Sequence, residues 1–271
     1  MDSAKVIGVI SIKGGVGKTT ATVNLGTALS ELGKKVLIID TNYSAPNLAL
    51  HLGLVKPEAS TIHDVLMGKS PLEKAIYEYE DKFHFIPGSL NPSAGKIDIF
   101  ALKKKLRELR GNYDFILLDS SPTMNNELLS TIVASDSLIV VTSPDYPTLS
   151  CTIKAVKVAK QKNTPIAGII INKERGKSFE LKTEDIEELA DVPVIAKIKD
   201  DIKVLEALSE ATPSVMMSPK SNSSIEFKKL AAAMIGEEYK DNSLAGRLFN
   251  FFHFKKDRHE INRLVMSKGK K

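Results

Sequence analysis

At 271 residues, with 42% apolar and 26% charged residues, the chain has the composition of a soluble globular protein with room for one substantial core. Its single cysteine, Cys151, excludes an intramolecular disulfide and supplies no metal cluster. Net charge is +5, but residues 240–271 hold nine Lys/Arg against three Asp/Glu, which leaves −1 for the other 239 and excludes a smooth basic field for nucleic acid on the body.

Taken in chain order, the apolar runs 6–12, 35–39, 83–86, 113–118, 137–141, 166–171 and 194–198 read as strands, several so continuously apolar that both faces should be covered. Amphipathic helical patterns lie between them, for example at 18–32, 100–110 and 148–160, and a last one at 226–235 closes the domain. Such alternation predicts an α/β fold, a doubly wound, mainly parallel sheet flanked by helices. The first apolar run is too short for a signal peptide, and no stretch approaches a membrane span. The expected organisation is one domain over 1–236, a polar connector over 237–243 and a basic amphipathic tail over 244–271.

Between the first strand and first helix stands SIKGGVGKTT, residues 11–20. The phosphate-binding loop pattern asks for Gly, four residues, then Gly-Lys-Ser/Thr, and here Ile12 occupies the first glycine's place. Gly14, Gly15, Val16 and Gly17 can still turn backbone N–H groups toward phosphate oxygens at a helix N-terminus, with Thr20 continuing the turn. Lys18 would reach the β- and γ-phosphates, and Thr19 would offer its hydroxyl to Mg²⁺. The competing reading is a glycine-rich strand–helix turn with no ligand.

The segment KGGVGKTT resembles the deviant Walker A motif of the MinD/ParA family of P-loop ATPases. The resemblance implies ATP and Mg²⁺ as cofactors, hydrolysis to ADP and phosphate, and an ATP-bound homodimer in which Lys13 crosses to the partner's phosphates. Other segments match in the family's order, over about residues 5–236. VLIIDTNYSAPNL is similar to switch I and places Asp40 at a strand end; YDFILLDSSP is similar to the Walker B and switch II segment and places Asp119 near the metal. IAGIIINKERG implies a base contact for Asn172, with Asp201 a further contact on that side. Thr19, Asp40 and Asp119 would then serve the metal, and Lys13, Lys18, Asp40, Asn42 and Asp119 the reaction. Strand-terminal Asp residues also serve as ordinary turn caps. Departures from the family are two: Asn42 stands where a second switch I Asp orients water, and Lys199 stands where Pro is common beside the adenine. An amide bonds water but accepts no proton, so hydrolysis is expected to be slow. Relatives that carry iron–sulfur clusters need two cysteines per chain, which this chain lacks.

The tail reads LAGRLFNFFHFKKDR over 244–258. On a helix, Leu244, Leu248, Phe249, Phe251 and Phe252 share a stripe, followed by Lys255, Lys256 and Arg258, the composition of a helix lying in an anionic membrane interface. Phe254 falls off the stripe, and beyond Glu260 the apolar Ile261, Leu264 and Val265 turn to another face, so a break or a second short helix is expected. The alternative is that the phenylalanines pack on the body or on another subunit. Because MinD-type members carry a C-terminal targeting helix, the resemblance implies a cytoplasmic protein that attaches reversibly to the membrane's inner face and positions or recruits partner proteins, as in division-site or polar-apparatus placement. SAPNL and TIHDVLMGK are most similar to archaeal MinD-type sequences. Competing readings are a ParA-like partition ATPase on nonspecific DNA, which the charge distribution disfavours, and an ATP-binding scaffold with little hydrolysis.

Overall fold

Strands form where the chain can be covered from both sides. In β2 (Val36–Thr41) and β5 (Phe115–Ser120) every residue is buried, and β1 (Lys5–Ile10) is buried from its second residue onward. Side chains alternate between faces: Ile38 and Leu117 enter one apolar layer, whereas Leu37, Ile39, Ile116 and Leu118 enter the opposite one. The computed structural model describes residues 3–55, 60–90, 98, 100–239 and 257–268.

With β3 (Tyr77–Tyr79), β4 (Phe83–Ile86), β6 (Ser137–Thr142), β7 (Ile166–Glu174) and β8 (Val194–Lys199), the described strands make one eight-stranded sheet in the order β3-β4-β2-β5-β1-β6-β7-β8. Every pairing is parallel except the β3–β4 hairpin at one edge. The fold is the expected α/β class. β3 was not expected; three residues with one buried side chain carry too short a pattern to read.

Helix α1 (Lys18–Glu31) follows β1 and is buried through most of its length against the sheet and a later helix, α10 (Asn222–Met234). The short α2 (Leu48–His51) and α3 (Ile62–Leu66) and a 3₁₀ turn, Leu72–Ala75, follow β2, with α4 (Ala101–Leu109) before β5. α5 (Asn126–Ala134), α6 (Tyr146–Gln161) and α7 (Thr183–Ala190) complete the other layer, and α8 (Ile202–Ser209) and α9 (Ser214–Met217) lead into α10. Boundaries shift where polar caps decide them. β1 ends at Ile10 rather than residue 12, because the Ser11 hydroxyl bonds the Lys13 backbone. α6 starts two residues before the expected 148, capped by the Asp145 carboxylate on Thr148 N–H at 2.9 Å. α10 likewise starts ahead of the expected 226, capped by Ser221 on Ser224 N–H at 3.2 Å.

The last described element, α11 (Arg258–Lys268), packs on β8 and α10. The stripe residues Leu244, Leu248, Phe249, Phe251, Phe252, Lys255 and Lys256 lie outside the described residues.

Candidate functional site

The parallel sheet brings the C-terminal ends of β1, β2, β5 and β7 together, and the glycine loop rises from β1 at their centre. Gly15 and Gly17 have φ of +78° and +84°, the left-handed region that suits glycine, and Gly17 is the N-cap of α1. A Cβ on Gly17 would sit 2.2 Å from Asn172 Nδ2. The closeness comes from bonding: Asn172 Nδ2 donates to Val16 C=O at 2.7 Å, and Lys173 Nζ donates to Gly15 C=O at 2.7 Å. A trans peptide holds its C=O and N–H on opposite sides. With these carbonyls engaged by the end of β7, the N–H groups of Val16 and Gly17 point away from it, as an anion-binding loop requires.

Below the loop lies a buried charged cluster. Asp119, at the end of β5, accepts from Lys18 Nζ at 2.7 Å through Oδ1 and from Thr19 Oγ1 at 2.6 Å through Oδ2, with Thr22 Oγ1 at 3.3 Å. Thr19 Oγ1 also reaches Asn47 Oδ1 at 3.0 Å. Asp40 sits beside Asp119 in register on β2 and is fully buried. Its carboxylate accepts the backbone N–H groups of Asn42, Asn47 and Leu48, each at 3.0 Å. Burial, and then the charge of Asp119, push Asp40 well above the usual carboxylate range, to about 7. Two buried carboxylates and a threonine hydroxyl, with one lysine between them, form an oxygen-donor set short of positive charge, which fits a hard divalent cation.

A cavity of about 280 Å³ opens over this cluster, lined by the loop from Lys13 to Thr20, by Asn42 and Asn47, and on the far side by Asn172, Lys173, Lys199, Asp200 and Asp201. Lys13 is solvent-exposed at its rim. Asn42 is buried, and its side-chain Nδ2 donates to Ala45 C=O. Asp201 lines the cavity too, but its carboxylate is occupied. It caps α8 through Lys203 N–H at 3.0 Å and accepts from Ser223 Oγ at 3.0 Å. The structure thus gathers Lys13, Gly14, Gly15, Val16, Gly17, Lys18, Thr19, Thr20, Asn42, Asn172 and Asp201 around one cavity, with Asp40 and Asp119 beneath it.

Sequence reasoning missed Asn47, Lys173 and the apolar α8 residues Val204, Leu205 and Leu208, which also line the cavity. Asn47 and Lys173 each lie within a segment already singled out, next to residues of known type. The α8 residues had no local signal, because only the fold carries α8 to the cavity.

Comparisons with known proteins agree with this geometry. A family model described as an AAA domain matches residues 4–167. An ATP-binding protein of Methanocaldococcus jannaschii is 33% identical over 237 residues, 87% of this chain and 89% of that protein. The septum site-determining protein MinD of Bacillus subtilis is 26% identical over 263 residues, 92% of this chain and 98% of its own length. Among solved structures, the septum site-determining protein MinD from Pyrococcus horikoshii, complexed with Mg-ADP, superposes with a TM-score of 0.78 at 34% identity, covering 84% of this chain and 95% of that one.

Proposed function

This chain belongs to the MinD/ParA family of P-loop ATPases, and on that premise we propose that it binds ATP with Mg²⁺ in the loop cavity, dimerises on doing so, and hydrolyses the nucleotide slowly. One observation carries the reading: Asp119 holds both Lys18 and Thr19 beneath a loop whose carbonyls are already engaged. Thr19, Asp40 and Asp119 would hold Mg²⁺, which offsets phosphate charge when bound. Lys18 would release Asp119 to reach the phosphates. Lys13, exposed at the rim, would serve a second copy's nucleotide in that dimer. Gel filtration with light scattering tests this directly. A dimer is expected in ATP and Mg²⁺ and a monomer in ADP; a monomer in both overturns the dimer.

Slow turnover follows from Asn42, whose amide orients water without accepting a proton. Asn42→Asp is expected to raise the single-turnover rate, and an unchanged rate removes the explanation. The bond from Asn42 Nδ2 to Ala45 C=O favours a second reading, a nucleotide-dependent scaffold that scarcely hydrolyses. A phosphate-release assay at saturating lipid separates the two.

No helix among the described residues is long and apolar enough to cross a membrane. We propose peripheral attachment through the Phe-rich basic stretch beginning at Leu244, with two copies in one ATP dimer giving avidity and a recruited partner protein as cargo. Co-sedimentation with anionic liposomes should be stronger in ATP than in ADP and be lost in Phe251→Glu. Equal binding in both nucleotides overturns the switch.

A further inference from the structure

The backbone that carries Asn42 is tied to α5 by residues that no nucleotide motif requires. Ser44 donates its hydroxyl to Glu127. Thr41 Oγ1 lies 2.8 Å from Thr131 Oγ1 and donates to Asp119 C=O at 2.9 Å. On the other side, His63 fixes Tyr43. Ser89 N–H donates to His63 Nδ1 at 3.0 Å, so the neutral ring carries its proton on Nε2 and donates it to Tyr43 C=O at 2.9 Å.

At the centre of this tie, Tyr43 Oη, Ser130 Oγ and Glu127 Oε2 are buried, with Tyr43 beside Ser130 but no bond of full geometry made by any of the three. Burial raises the Tyr43 hydroxyl well above the usual phenol range; its approach to Ser130 draws it back, and the neighbouring Glu127 and Asp40 add to the rise, so the hydroxyl stays protonated, hence a donor. Two hydroxyl donors and one carboxylate oxygen are thus buried in the same part of the fold. Buried polar groups in folded proteins are nearly always satisfied, so such a cluster is driven to close by a small approach of Tyr43 and α5. Tyr43 shares a peptide with Asn42, and α5 is the next element after β5, the strand that carries Asp119.

We propose that Tyr43 is a positioning residue for ATP hydrolysis, whose hydroxyl closes onto Ser130 and Glu127 and so couples the setting of Asn42 to α5. This rests on the ATPase reading above. Tyr43 acts through Asn42 and α5, not on the nucleotide. It links the backbone of Asn42 to the helix that follows the Asp119 strand, a contiguous connection through which the two could be coupled.

The test compares wild type, Tyr43→Phe, Ser130→Ala and the double variant in single turnover with ATP and Mg²⁺, in ATP affinity, and in hydrogen exchange at residues 42–48 with and without ATP. Each single variant is expected to slow hydrolysis about five- to tenfold, the loss of roughly one hydrogen bond, with affinity held within about twofold. The double variant should be no slower than the slower single, because both break one cluster. Amides at 42–48 should exchange about five- to tenfold faster in the variants. Unchanged hydrolysis in Tyr43→Phe, effects that multiply, or affinity falling in step with rate would overturn the proposal. A wild type that binds ATP without hydrolysing it sinks the ATPase reading instead. Exchange at 42–48 then decides the coupling alone, equal rates in wild type and variants overturning it. Should Tyr43→Phe fail to fold, Ser130→Ala carries the same comparison.

Discussion

Asp40 and Glu226 are both buried carboxylates, and their surroundings push them in opposite directions. Asp40 stands beside a like charge, and burial with that neighbour raises it to about 7. Burial also pulls Glu226 upward, but there the His259 bond and the Arg263 guanidinium, 2.8 Å away, win and hold it at about 2. Glu226 receives α11 in a clasp of cationic side chains, to which Glu187 adds Arg258 and Asn262. The contrast separates two uses of buried charge. An undercompensated pair has charge left over for a cation, whereas a carboxylate paired with cationic side chains holds two elements together.

The largest expected effect breaks the clasp. Glu226→Ala leaves Arg263 buried without its partner and should lower unfolding free energy by about 3–5 kcal/mol in urea titration, with ATP affinity little changed. Lys18→Ala should do the reverse. Hydrolysis falls about 10²–10³-fold in steady-state kinetics, while Asp119 keeps Thr19 and Thr22 as donors and the thermal midpoint drops less than in Glu226→Ala. Acid sharpens the contrast. Because Glu226 is held below its ordinary 4.5, its contribution is complete above pH 4.5 and fades as pH falls toward about 2, on the order of 3 kcal/mol. Asp40 has the opposite sign, its raised value eroding stability as pH climbs from 3.8 to about 7. The stability deficit of Glu226→Gln relative to wild type should therefore be large at pH 6 and vanish near pH 2. Gly17→Ala is the smallest, about 1–2 kcal/mol for the left-handed backbone, measured by thermal unfolding, with loss of nucleotide binding as Asn172 is displaced.

The nucleotide end was legible because its chemistry is local. The glycine loop is contiguous, and Asp40, Asp119 and Asn172 fall at the ends of strands whose apolar runs announce them. What stayed hidden depends on pairing between distant segments that carry no pattern of their own. Ser130 and Glu127 meet Tyr43 only because α5 packs beneath the β2 loop. α11 escaped for a sharper reason, since it buries its polar face. His259 and Arg263 are inside while Ile261 and Val265 are 50% and 68% exposed, so apolar periodicity points away from the contact. The turn of apolar residues to another face beyond Glu260 was readable; that residues 258–268 pack on the domain was not.

One bond of the clasp has a consequence for the sheet itself. β8 is its outer strand, and at Val194 both outward groups are taken by side chains, the N–H by Glu187 at 2.8 Å and the C=O by Asn262 at 2.8 Å. Glu187 and Asn262 stand in for a ninth strand. At this point the sheet offers a neighbouring chain no ladder to extend, so strand addition is blocked here.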